Sequence, residues 1–405
     1  MYRTLFDMPL LFALKKFAKE IYITTWTYMQ RTCSMMSLVD EGYSNDALDG
    51  LLDELEQHFM ILNKADTGDG DVGNDTLVTL QQQYTNTTEC ARNVVILADW
   101  IYLCGFAILL PVAVLLNGLQ CAVFVAGALR RYAFSMFLVA AAIFDLLALL
   151  SHVPARWMSL VYDVCGRDAF STLYNTNVVA CRAITYVNHA TRFASSWTVV
   201  ALAVERSIVS KDPYRKSLLR RPGTAYKQIL MILGTSLVLT CHVVFTWNLV
   251  PRNDVAECAL DVSSQELSTF LTVVNLILIV AMPNFLTCIL TVMIAQNLHG
   301  KIWKVRPRNL SKQIIAKILL ERQAGVMVAF IAGVYALLSL PYTVSWLMLL
   351  AQRFTHAADK AATSSSCAHA RTLAATDISE TLYMVNYAVK FAFCLFCGLD
   401  VVGHK

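Results

Sequence analysis

Charge is what this sequence has least of. Asp, Glu, Lys and Arg make up 15% of its 405 residues, against 57% apolar, where soluble domains carry about a quarter of their residues as charge. A mean hydropathy of +0.52 would leave more apolar surface than one or two globular cores can bury. A water-soluble enzyme is therefore not expected, and no catalytic residue is assigned. Cysteine is sparse as well, at 12 residues, with Cys104, Cys121, Cys241 and Cys288 inside apolar runs. That is not the short, Cys-dense pattern of a secreted disulfide scaffold. There is no internal repeat of the kind that underlies many transporters. A cleaved leader is not expected either, since the apolar stretch 10–14 is short and Lys15, Lys16 and Lys19 follow it instead of preceding it.

What the chain does have is seven long apolar runs, over 100–128, 133–153, 184–209, 226–250, 267–295, 324–350 and 378–402. A helix needs about 20 such residues to cross a bilayer, and the strands of a membrane barrel would alternate instead. The expected fold is an all-α membrane protein, a seven-transmembrane helix bundle. Its orientation follows from the basic residues, which favour the cytoplasmic side. With the N-terminus outside, the three cytoplasmic loops hold sixteen Lys and Arg and the three opposite loops hold seven. On that reading 1–95 is an extracellular acidic region, 96–402 the membrane domain and 403–405 a very short cytoplasmic tail.

Residues 1–99 carry fifteen acids and seven bases, an outer charge that would concentrate cationic ligands. Their Asn-x-Thr sequons at Asn74 and Asn86 are candidates for glycosylation. Leu48, Leu51, Leu52, Leu55 and Phe59 predict one short amphipathic helix. Asp69 and Asp71 flank Gly70 as in a calcium loop, but Leu80 stands where the closing Glu would be. No metal or cofactor is expected.

Ionisable groups at membrane depth cost roughly 2.5 to 3.5 kcal/mol each and mark function by default. Here they are Asp145, Arg192, Glu205, Arg206 and Lys390. Asn117 and Asp145 are 28 residues apart, Cys181 precedes Arg206 by 25, and Glu205-Arg206-Ser207 closes the third run. Pro283 and Pro341 interrupt the fifth and sixth runs. With these residues at these spacings, the chain resembles the rhodopsin-like (class A) G-protein-coupled receptors, most of all the neuropeptide receptors of invertebrates, over residues 100–398.

The resemblance implies a disulfide between Cys181 and Cys258, and G-protein coupling through Glu205 and Arg206, with Glu205 holding the guanidinium at rest. Cys90 is a further candidate to pair with Cys367 or Cys165. The resemblance also implies a sodium site in a polar core of Asn117, Asp145, Ser195 and Asn386. Lys390 stands where one of the family's Asn ligands would be. A Lys ammonium is a cation on a tether, so a direct Asp145 to Lys390 salt bridge is expected in place of the ion, with hydrogen bonds from Asn117 and from Ser195 or Asn386. Departures from the family pattern are several: Lys390-Phe391-Ala392-Phe393-Cys394 replaces the Asn-Pro-x-x-Tyr motif, and Ser339 and Thr291 replace a sixth-helix Trp and a fifth-helix Tyr.

Asn188 stands where the amine receptors of the family have their ligand-binding Asp, and Met384 where opsins have the retinal Lys. Both ligand classes are thereby disfavoured. Asp254, Glu257, Asp261 and Glu266 between the fourth and fifth runs favour a basic peptide. Asn188 and Arg192 are expected to line the ligand pocket, with Arg192 reaching a ligand carboxylate or amide oxygen, or else pairing with carbonyls of the bundle. The expected partners are an extracellular peptide, a heterotrimeric G protein and membrane lipids, with no nucleic acid. Lys211, Arg215, Lys216, Arg220 and Arg221 suit anionic lipid. The rival readings are a transporter or ion pathway, and a receptor-like decoy that does not signal.

Overall fold

The computed structural model describes residues 97–99, 101–102, 105–125, 132–165, 177–211, 222–252, 255–260, 265–299, 312–358 and 366–399. The sequons at Asn74 and Asn86, the helix expected over 48–59, Cys90 and the basic residues from Arg215 to Arg221 lie outside them, as do the side chains of Cys165 and Cys367. Seven long helices are present among the described residues. They are α1 (Gly105–Val125), α2 (Ala133–Cys165), α3 (Val178–Lys211), α4 (Pro222–Leu239), α5 (Gln265–Leu276, continued by Met282–His299), α6 (Lys312–Ala358) and α7 (Ser366–Leu399). Among the described residues, five spans are long and apolar enough to cross a membrane: 105–125, 133–154, 222–246, 273–299 and 321–352. α3, with Arg192, Glu205 and Arg206 buried, and α7, with Lys390 buried, are not among those five.

α2, α3, α5 and α6 outrun the apolar stretches that predict them, and α7 begins twelve residues before its own. The fourth run differs. Its helix ends at Leu239, a single helical turn follows at Val243–Thr246, and the chain then enters strand β1 (Trp247–Arg252). This strand pairs antiparallel with β2 (Val255–Leu260), Leu249 facing Cys258. The last residues of the expected helix are thus a hairpin. Apolar periodicity cannot separate a short strand from a helix end, and the partner strand decides it.

α3 runs through the middle of the bundle, with buried residues along its whole length from Cys181 to Ser210. One apolar cluster gathers Tyr102, Phe106, Leu149, Phe193, Tyr383 and Tyr387 towards the Cys181 end. A second gathers Phe124, Phe134, Phe137, Leu202 and Ile331 towards the Arg206 end. Leu230, Met231, Phe245, Phe285 and Leu337 are exposed around the outside, as suits a surface solvated by lipid. In lipid, apolar side chains gain little by leaving the solvent, so close packing and polar contacts hold helices together. Gly105 serves the first: a Cβ there would sit 3.2 Å from Thr381 Cγ2, so α1 and α7 approach closely at this point. Asn117 serves the second, donating from Nδ2 to the Tyr387 carbonyl of α7 at 2.9 Å.

Pro283 acts through the backbone before it. A π turn over Ile277–Ala281 widens α5, with the Met282 N–H donating to the Ile277 carbonyl. The next carbonyl in that register, Leu278, would need the N–H of residue 283, and proline has none. The Trp197 indole of α3 fills the gap, donating to the Leu278 oxygen at 3.0 Å. A buried carbonyl stays satisfied, and α5 is pinned to α3 at that height.

Candidate functional site

The buried polar groups lie along α3 at three levels. At the Arg206 end, the guanidinium is almost fully buried. Its Nε and Nη2 donate to the two oxygens of Glu205, and its Nη1 donates to Glu321 Oε2 of α6 at 2.7 Å. The Phe134 ring of α2 lies 5.0 Å away. Two carboxylates satisfy the guanidinium on both edges, and the one from α6 ties that helix to α3. Asn297 of α5 adds a contact to Ser210 Oγ at 3.3 Å. Glu321 escaped the sequence reading because it sits just before the apolar run at 324.

At mid-height, Lys390 Nζ of α7 is 2.9 Å from Asp145 Oδ1 and 2.8 Å from Oδ2. It is 3.2 Å from Ser195 Oγ, and Ser195 itself donates to Asp145. Lysine and aspartate are both almost fully buried. The Tyr387 and Tyr335 rings lie 5.4 and 6.0 Å from the ammonium. The residues present do not fit a sodium ion, because Nζ already stands at bonding distance from the oxygens that would ligate it. A second cation beside it would be repelled and left short of ligands. Of the remaining expected members, Asn117 donates instead to the carbonyls of Ala113 and Tyr387. Asn386 is buried with neither amide atom bonded to protein. Only Ser195 joins the ion pair.

At the Cys181 end, the disulfide Cys181–Cys258 joins the top of α3 to β2, with 5.7 Å between Cα atoms. Arg182 Nε donates to the Trp247 carbonyl at 3.0 Å, so both strands of the hairpin are tied to α3. Below it, Arg192 pairs with Glu380 Oε1 of α7 at 3.3 Å and not with backbone carbonyls. Its Nη2 reaches Tyr342 Oη of α6 at 3.5 Å. The rings of Tyr342 and Tyr383 stack on each other at 5.0 Å and lie 5.6 and 5.1 Å from the guanidinium. Asn188, one turn earlier on α3, contacts His152 Nδ1 at 3.3 Å. His152 Nε2 in turn lies 3.6 Å from Glu380 Oε1.

Sequence reasoning named Asn188 and Arg192 but missed Glu380 and His152. Glu380 had a signal, an acid near the start of the seventh apolar run. His152 had none, being a lone histidine at the end of one. The stripe Glu380, Tyr383, Tyr387 and Lys390 recurs at helical spacing, so α7 turns one polar face inward. The Tyr387 hydroxyl donates to that of Tyr383 at 2.6 Å, which links the upper and middle levels. No group of three or more His, Cys, Asp or Glu suited to a metal occurs among the described residues.

No curated protein matches this chain. The profile of the family described as 7 transmembrane receptor (rhodopsin family) matches residues 116–389, a stretch that contains Arg192, Arg206, Asp145 and the Cys181–Cys258 disulfide. A central α3 with buried ion pairs against it at three levels, a hairpin bonded to its top and this match together make the chain a member of the rhodopsin family of seven-transmembrane receptors, multi-pass proteins of the plasma membrane.

Proposed function

We propose that this receptor carries the binding of an extracellular peptide to a heterotrimeric G protein, and that it is most like the neuropeptide receptors of invertebrates. The Cys181 end faces outside, with 1–95 as an acidic antechamber glycosylated at Asn74 and Asn86, and 403–405 lies on the cytoplasmic side. The Arg206 end faces the cytoplasm. Members of the family are generally not enzymes, and the work here is conformational: a ligand binds one packing of the bundle better than another and shifts the population.

The observation that carries this reading is Arg206, buried and held by Glu205 on its own helix and by Glu321 across on α6. A guanidinium so placed is satisfied only while α6 stays against α3. Swinging α6 away strips one partner, exposes Arg206 and opens a cleft between helices, which is what a G protein needs in order to dock. The acidic residues of the N-terminal region and of the loop before α5 support a basic ligand.

Agonist-evoked dissociation of G-protein subunits in transfected cells, screened with peptide pools, tests the reading. Arg206→Ala should abolish the response and keep surface binding. Equal loss of surface expression and binding would make Arg206 a folding residue. Silence of a surface-expressed wild type towards every peptide and every G-protein class would favour the decoy.

A further inference from the structure

Arg192 is more than nine-tenths buried, yet it is thinly held. Its Nη1 has Glu380 at 3.3 Å, its Nη2 has only a 3.5 Å contact to Tyr342, and its Nε has no hydrogen-bond partner. The Nε and Nη2 hydrogens form the side-on fork of a guanidinium, the edge that accepts a carboxylate in two parallel bonds. Glu380 leaves that edge open. One turn earlier, Asn188 is equally buried, and its Oδ1 is likewise without a partner. The level therefore offers an edge with one unused donor and one weakly used donor, and one unused acceptor, side by side on the same face of α3.

A carboxylate on the open fork would give Arg192 two anions, the ligand's and Glu380. Burying a surplus negative charge is costly, so the charge must be balanced by a cation close to Glu380. His152 is already 3.6 Å from that carboxylate and bonded to Tyr102 at 3.0 Å. A ligand that brings its own cation keeps the level neutral without changing the protonation of any side chain.

We propose that this level recognises a basic residue bearing a free α-carboxylate, as at the carboxy-terminus of a peptide ending in Arg or Lys. The carboxylate takes the open fork of Arg192, the side-chain cation takes Glu380, and the last peptide N–H donates to Asn188. Tyr342 and Tyr383 wall the charged group, as they now wall the Arg192 guanidinium. Arg192 and Glu380 already face each other at 3.3 Å, so neither charge is bare before a ligand arrives. This specificity rests on the peptide-receptor reading above and names the chemistry of its ligand.

The test uses full-length receptor at the cell surface and octapeptide pools in four arms: ending in Arg as the free acid, ending in Arg as the amide, ending in Leu as the free acid, and L-arginine alone. The free-acid Arg pool should be the most potent, and amidation or Leu should each weaken it on the order of a hundredfold, the usual loss when one partner of a buried charge pair is removed. Arg192→Gln should erase the preference for acid over amide and keep the preference for Arg over Leu. Glu380→Gln should do the reverse. If either variant fails to reach the surface, the exchange Arg192→Glu with Glu380→Arg retains the internal pair, and it should lose both preferences. A response to L-arginine alone would assign the same chemistry to a free amino acid. Equal potency of acid and amide pools, or a preference that survives in Arg192→Gln, overturns the inference and leaves the receptor reading standing. Silence in all four arms, with receptor at the surface and a response to some other peptide pool, overturns the inference alone, and silence towards every pool and every G-protein class overturns both.

Discussion

Arg192 and Arg206 lie fourteen residues apart on the same helix and are both buried, but they are held differently. Arg206 has carboxylates on both edges, the more distant at 2.7 Å. Arg192 has one carboxylate at 3.3 Å and an open edge. Between them, Lys390 is closed around Asp145 at 2.8 Å. A buried charge whose donors are fully used has no capacity for a further ligand, and breaking it strands its partner. A charge with spare donors can take a new partner without losing the old one. The difference separates groups that set the packing of the bundle from those that are free to read a ligand.

The largest expected effect is at the closed middle level. Asp145→Asn or Lys390→Asn alone leaves a bare buried charge, and each should cost about 3 to 5 kcal/mol, read as lost surface expression and a lowered melting temperature of purified receptor. The double substitution should recover part of that loss. Agonist affinity in the wild type should not change when sodium replaces a bulky organic cation at constant ionic strength. Sodium-modulated affinity together with full expression of Lys390→Asn would mean that the level is not closed.

The loose level has a covalent staple above it, Cys181–Cys258. Cys181→Ser should cost roughly 2 to 4 kcal/mol. Cys258→Ser with Cys181→Ser should cost no more than either alone, as thermal unfolding in detergent would report. Additive losses would show that each sulfur has a separate packing role.

At the tight level, Glu321→Gln removes the one charge that ties α6 to Arg206. It leaves Glu205 in place, so expression should persist. Basal signalling should rise, corresponding to a shift of about 1.5 to 3 kcal/mol towards the open packing, the usual worth of a hydrogen bond to a charged group. Unchanged basal G-protein turnover would mean that Glu205 alone holds the resting state.

The smallest effect is expected at the link between levels. Tyr387→Phe deletes the 2.6 Å bond to Tyr383 and should cost about 0.5 to 1.5 kcal/mol. If the levels are coupled through this bond, a double-mutant cycle of Tyr387→Phe with Glu380→Gln will be non-additive in agonist potency. Additivity would make the two ion pairs independent.

Much of the middle level was legible in the sequence, because a lysine and an aspartate inside apolar runs have few ways to be satisfied in a bundle. Which polar neighbours join them was not. Asn117 reaches a carbonyl of α7, and only the rotation of α1 about its axis decides that. Glu321 and Glu380 sit near the starts of their apolar runs, where an acid reads as a solvated end. They become partners because α6 and α7 extend beyond those runs and lean on α3. The hairpin was hidden for a different reason, since Trp247–Val250 is apolar enough to continue a helix and becomes part of a strand only opposite Val255–Leu260.

By itself, the sequence determined that the chain is a helical membrane bundle and that its charges would have to pair. Both follow from the cost of putting polar groups in hydrocarbon, which depends on composition and run length alone. Only the tertiary structure decided which charges meet and how completely each is satisfied. Those outcomes depend on helix rotation and height, which long-range packing sets and local spacing does not.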